Sequence, residues 1–162
     1  MRKLLLCMAL VAMITSVIAE AKLPRTNARD LKQRIQQLKG KVVIVNLWAT
    51  WCQPCVEEMP ELARFYRNYR RQGVVLIGVS IDDEPTADQT VPPVLRKCKV
   101  TYPVVVVKQD LEQFAEQFDA SWRGEVPRFY IYNKQGKRVK VWSGSVTYAQ
   151  LEREVKAVLS QR

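Results

Sequence analysis

Residues 41–55 read Lys41-Val42-Val43-Ile44-Val45-Asn46-Leu47-Trp48-Ala49-Thr50-Trp51-Cys52-Gln53-Pro54-Cys55. Val42 to Ala49 is a short apolar run rich in β-branched side chains. It predicts a strand buried on both faces, of the kind found in parallel sheets. From Thr50 to Tyr69 the pattern turns helical, so the chain passes from strand to helix at the two cysteines. Cysteines three apart on the first turn of a helix lie within disulfide reach. Cys52 falls at the helix N-terminus, where free N–H groups and the positive end of the dipole stabilise a thiolate. Cys55 lies one turn deeper. Pro54 is harmless in a first turn, because its missing N–H would have no partner there.

This arrangement implies thiol–disulfide exchange. A Cys52 thiolate attacks a disulfide, and Cys55 then resolves the mixed disulfide. Gln53 and Pro54 shape the surroundings of Cys52 and so help to set its potential. Two other readings of a Cys-x-x-Cys are half a zinc site and a purely structural disulfide. The chain has no histidine and no second close cysteine pair, which leaves a zinc site without its other ligands. The lack of histidine also removes Ser/His/Asp and Cys/His catalytic arrangements. Of the four cysteines, Cys7 lies near the start and Cys98 stands alone. Cys98 reads as a buried or incidental thiol, with a regulatory or intermolecular thiol as the alternative. One close pair plus one odd thiol is not the pattern of a disulfide-stapled scaffold.

The N-terminus resembles a targeting segment. Arg2 and Lys3 precede Leu4–Ala19, 16 residues without a charge. Ala19-Glu20-Ala21 supplies a small-x-small cleavage pattern, so residues 1–21 are expected to be a signal peptide cut after Ala21. The alternatives are an uncleaved membrane anchor and a buried core helix. The apolar run is short for a bilayer span. Cys7 comes too early for a lipoprotein anchor. Without residues 1–21 the chain keeps 24 basic against 15 acidic residues, a balance of +9. Such a surface favours acidic partners or an anionic membrane, or is simply solvated. The basic residues are scattered rather than interleaved with aromatics, which argues against nucleic acid.

Residues 22–37 are expected to form a linker and an N-terminal helical segment, with Leu31, Ile35 and Leu38 at helical spacing. Residues 38–162 then form one domain. Val74–Ile81 reads as a second buried strand and 82–93 as a polar, proline-containing loop. A short helix is expected over 94–99 and a third strand over 103–107. Leu111, Ala115 and Phe118 mark another helix. Phe129–Tyr132 and Arg138–Trp142 form a hairpin around Asn133-Lys134-Gln135-Gly136. Thr147 caps a last helix whose apolar face is Leu151, Val155, Val158 and Leu159. The order predicts an α/β fold, a mixed central sheet with helices on both faces.

Residues 41–55 resemble the active-site segment of the thioredoxin superfamily. Glu57-Glu58-Met59-Pro60-Glu61-Leu62 is similar to its extracytoplasmic TlpA/ResA-like branch. Gly124-Glu125-Val126-Pro127 followed by Phe129-Tyr130-Ile131 resembles that branch's cis-proline loop and following strand. Gly136 and Gly144 fall where the family has its hairpin and closing turn. The likeness covers residues 38–160 and implies a thioredoxin-like fold and an oxidoreductase without a cofactor. It implies that Pro127 is cis and lies against the cysteine pair, that Val126 offers its backbone to a substrate strand, and that Trp51 shields the disulfide and touches substrate. Glu58, one turn beyond Cys55 on the same helical face, would modulate proton transfer, and Pro60 would kink the helix. The partners implied are protein thiols and disulfides, and a membrane electron donor of the DsbD/CcdA type, in an extracytoplasmic setting that includes the outer face of a membrane. Cytochrome c maturation and general thiol repair are the roles such proteins serve. The chain departs from the family at three points. Asn46 stands where cytosolic thioredoxins have a buried acid, the hairpin before the first core strand is missing, and Arg128 follows Pro127 where Thr or Ser is common. Three alternatives are a net disulfide oxidant, a redox-idle binding module and a peroxidase. A Pro-x-x-x-Thr-x-x-Cys pattern, which would mark the last, is absent.

Overall fold

The computed structural model of the protein describes residues 22–161, so the expected signal peptide lies outside the described residues. The elements in chain order are β1 (Arg25–Thr26), α1 (Ala28–Gln37), β2 (Val42–Trp48), α2 (Gln53–Tyr69) and β3 (Val74–Ser80). They continue with α3 (Glu84–Lys97), β4 (Val104–Val107), α4 (Leu111–Asp119), β5 (Arg128–Tyr132), β6 (Arg138–Ser143) and α5 (Tyr148–Leu159). The six strands form one sheet in the order β1-β4-β3-β2-β5-β6. The first four run parallel, and β5 and β6 are antiparallel. The expected mixed sheet is therefore present.

The reason β2 is central is visible in its residues. Every position from Val42 to Trp48 is buried, because β3 and β5 flank it and helices cover the sheet. Helix α1 packs on α4, and α2 on α5. The apolar stripe of α5, with Leu151, Val155 and Val158, is buried as its spacing requires. Thr147 opens that helix with a capping box shared with Gln150.

Three local expectations need correction. Residues 25–26, expected within a linker, form a two-residue edge strand, with Val106 N–H bonding to Pro24 O at 2.9 Å and Lys108 N–H to Thr26 O at 2.9 Å. The segment 84–97, expected to be a loop followed by a short helix, is one continuous helix. Pro85 sits harmlessly in its first turn. Ala87 and Val91 are buried, with Val94 and Leu95 packed against the core. That stripe holds the helix through Pro92 and Pro93. Finally, α2 starts at Gln53 rather than Thr50, because residues 49–52 form a turn closed by Cys52 N–H to Ala49 O at 3.2 Å.

Candidate active site

Cys52 is the N-cap of α2, with extended backbone, and Pro54 falls in the first turn. Cys52 and Cys55 are joined in a disulfide with Cα atoms 5.3 Å apart. Cys52 Sγ accepts the Cys55 N–H at 3.3 Å. A sulfur at this position is thus met by a helix-terminal N–H, which is what stabilises a thiolate there. Cys52 is less open than its place at a helix start suggests. It is 5% exposed against 1% for Cys55, while Trp51 is 66% exposed. Trp51 stands out beside the disulfide as a large apolar contact surface. Gln53 is exposed and donates to Glu57 Oε1 at 2.7 Å, so Glu57 points to solvent.

Glu58 behaves differently. It is 5% exposed, and its Oε2 accepts the Val146 N–H at 2.9 Å from the β6–α5 connection. Burial is the dominant influence and pushes its carboxyl up to about 8, although the Val146 N–H and the Asn46 amide favour the ionised form. Asn46 nonetheless makes no hydrogen bond of ordinary geometry. Both polar ends of Asn46 and Glu58 Oε1 are buried without a partner, as are Trp48 Nε1 and Tyr102 OH. These groups adjoin. Asn46 pairs with Gly78 across β2 and β3, and a Cβ on Gly78 would come within 3.1 Å of the Tyr102 ring and 3.3 Å of Trp48 Nε1. Buried polar groups left this way are rare in a folded protein, and five such atoms gather here around Glu58.

The turn before Cys52 is fixed by residues that the sequence reading passed over. Asp82 is buried just beyond β3. Its carboxylate accepts the Thr50 N–H, with both oxygens at 3.1 Å, and the Ser80 hydroxyl at 2.7 Å. The Thr50 hydroxyl also bonds to Asp82. Ser80 pairs with Trp48 across the sheet, so a Ser-x-Asp at the end of an apolar strand was the available signal.

On the other side of β2, the Val126–Pro127 bond is cis. Arg128 pairs with Leu47 and Phe129 with Asn46, which places Val126–Pro127 beside the C-terminal end of β2, just before the cysteines. Pro127 O accepts the Gly144 N–H at 2.9 Å. Val126 is half-buried and makes no hydrogen bond through its backbone. The site residues expected from the sequence (Trp51, Cys52, Gln53, Pro54, Cys55, Glu58, Val126 and Pro127) therefore gather at one end of β2. Cys98 lies nearby and is buried, with Sγ 3.7 Å from Val56 O. Burial raises its thiol pKa.

A strand leading into a helix-capping Cys-x-x-Cys, on a mixed sheet with a cis-proline loop alongside, defines a thiol–disulfide oxidoreductase of thioredoxin-like fold. The chain belongs to the AhpC/TSA family, whose model matches residues 14–140. It is similar to the thiol-disulfide oxidoreductase ResA of Geobacillus kaustophilus, 28% identical over 147 residues that cover 89% of this chain and 80% of that protein. It is 32% identical to ResA of Bacillus subtilis over 126 residues, 78% of this chain and 65% of that protein. Among solved structures it resembles a thiol:disulfide interchange protein of the thioredoxin family from Chlorobium tepidum. The TM-score is 0.65 and the identity 26%, over 76% of this chain and 83% of that one. The chain is thus an oxidoreductase acting on protein thiols and disulfides.

Proposed function

We propose that the protein reduces disulfides of other proteins outside the cytoplasm, with Cys52 as nucleophile, Cys55 as resolving thiol and Glu58 as proton acceptor. The observation that carries this reading is the buried Glu58, one turn behind Cys55 on the same helical face, in a chain without histidine. In the reduced enzyme, the Cys52 thiolate attacks one sulfur of the substrate disulfide. The substrate S–S bond breaks, a mixed disulfide forms, and one substrate thiolate leaves. Cys55 passes its proton to the Glu58 carboxylate and attacks Cys52 Sγ. The mixed disulfide breaks, the second substrate thiolate departs, and the Cys52–Cys55 disulfide forms. Two electrons have moved from the enzyme dithiol to the substrate. A carboxyl raised to about 8 is a much stronger base than an ordinary carboxylate, which suits it to take a proton from a thiol.

Docking falls to Trp51, to Gln53 and Pro54 at the exposed helix start, and to Val126 and Pro127. Val126, with its N–H and C=O unpaired, pairs with an extended segment of the substrate. A membrane donor of the DsbD/CcdA type returns the two electrons, as suits the extracytoplasmic place expected from the N-terminal segment. Cytochrome c maturation, or general thiol repair, is the role that the likeness to ResA supports.

Insulin reduction with dithiothreitol as donor tests the chemistry. Cys52→Ser should lower the rate at least ~10³-fold, since only an ionised Cys52 is placed to attack. A rate within tenfold of wild type would make the protein a thioredoxin-like binding module. Trapping with Cys55→Ala, which stops at the mixed disulfide, names the partners. The equilibrium potential against glutathione separates a reductant from an oxidant.

A further inference from the structure

Arg128 is the first residue of β5, directly after Pro127, and its side chain is largely covered. Its Nη1 donates to Glu125 Oε1 at 2.8 Å and to Ser143 Oγ at 2.8 Å. Nη2 donates to Asp119 Oδ2 at 3.0 Å and to Ser121 Oγ at 3.4 Å. These partners come from three places. Asp119 is the last residue of α4, Ser121 and Glu125 belong to the α4–β5 connection, and Ser143 ends β6. Asp119 is held further by Tyr130 OH at 3.0 Å, Ser121 Oγ at 2.7 Å and Arg138 at 3.3 Å. Glu125 also accepts Ser143 Oγ at 2.9 Å, and its carbonyl accepts Trp122 Nε1 at 2.7 Å. One guanidinium therefore gathers both ends of the connection and the neighbouring strand. Within that frame Val126, between Glu125 and the cis Pro127, makes no hydrogen bond through its backbone N–H or C=O.

We propose that Arg128 and Asp119 form a strut that holds the Val126–Pro127 edge in the shape an incoming polypeptide strand pairs with. Both are then positioning residues for protein substrates. The inference rests on the docking role given to Val126 above. A planar fork of donors suits this place, since it engages carboxylates and hydroxyls in several directions at once. An edge already fixed leaves less to order when a strand adds to it. The strut makes no bond to Cys52 or Cys55, so its effect falls on docking of a polypeptide and not on sulfur chemistry.

The test compares insulin with the small disulfide 5,5′-dithiobis(2-nitrobenzoate), for wild type, Arg128→Met, Asp119→Asn, their double variant and Val126→Pro. Circular dichroism melts establish that each is folded at the assay temperature. Arg128→Met should raise the KM for insulin at least fivefold, with kcat and the small-disulfide rate within twofold of wild type. The double variant should raise KM no further than Arg128→Met alone, because the two residues act as one unit. A folded Arg128→Met with wild-type KM for insulin, beside a Val126→Pro with raised KM, overturns the strut and leaves the docking role of Val126 standing. Wild-type KM in Val126→Pro as well overturns both. Should Arg128→Met fail to fold, Arg128→Gln is read by the same criteria.

Discussion

Glu58 and Asp119 are equally buried carboxyls, each 5% exposed, and their protons behave in opposite ways. Glu58 accepts one main-chain N–H and leaves its other oxygen without a partner. Desolvation wins there, and the acid is held up to about 8. For Asp119 burial also pushes upward, but the hydrogen bonds from Ser121, Arg128 and Tyr130 outweigh it and hold the carboxyl well below the usual range. Depth alone does not decide the charge of a buried acid. The number of donors aimed at it does. The under-bonded acid stands behind the cysteines, where a proton must come and go. The fully bonded one stands behind the loop, where a fixed shape is needed.

The strongest way to break this contrast is to empty the well-bonded side. Asp119→Ala leaves Arg128 buried without its main carboxylate, and losing one partner of a buried pair costs about 3–5 kcal/mol. Urea unfolding at pH 7 should show a loss in that range, and a loss under 1 kcal/mol would mean the network is ornamental to stability. The depressed acid contributes stability that is present above its unfolded value and disappears as the pH falls below about 4.

Glu58 predicts the reverse slope. Its folded value is raised, so the oxidised protein binds the proton more tightly than the unfolded chain does. Stability is then full below about 4.5 and declines as the pH rises toward 8, by roughly 1.4 kcal/mol per pH unit at most. Glu58→Gln should flatten that decline between pH 5 and 8. Parallel curves for wild type and variant would show that Glu58 is ionised throughout.

The smallest effect concerns rate. Glu58→Gln should slow insulin reduction at pH 7 about tenfold and change the pH dependence of cysteine alkylation, because a general base is lost. Glu57→Gln, exposed on another face, should match wild type within twofold. Equal behaviour of the two variants would leave water as the proton acceptor.

Strands β2 to β6 and the cysteine site were legible because their signals are local. Val42–Trp48 announces a central strand by composition, and Cys52 and Cys55 announce a helix start by spacing. Glu58 was legible as a position, since three residues from Cys55 is one helical turn. Its burial was not, because the N–H that holds it belongs to Val146, 88 residues on. The helix over Glu84–Lys97 escaped because three prolines and a polar first half mask the stripe of Ala87, Val91, Val94 and Leu95. Arg128 was visible only as a departure from a family pattern. Its meaning depends on Asp119, Glu125 and Ser143, which only the folded sheet brings together.

The two-residue strand β1 sets a mechanical property of the molecule. It lies at the far edge of the sheet, three strands from β2, joined to β4 by its two short rungs and stapled to α3 by Arg25–Asp88 at 2.9 Å. Tension entering through residue 22 loads those rungs and that ion pair first. The edge would peel while β4 and β3 still separate it from the cysteine turn. Residue 22 therefore sits on the flank of the sheet, and a pull applied there reaches the redox centre last.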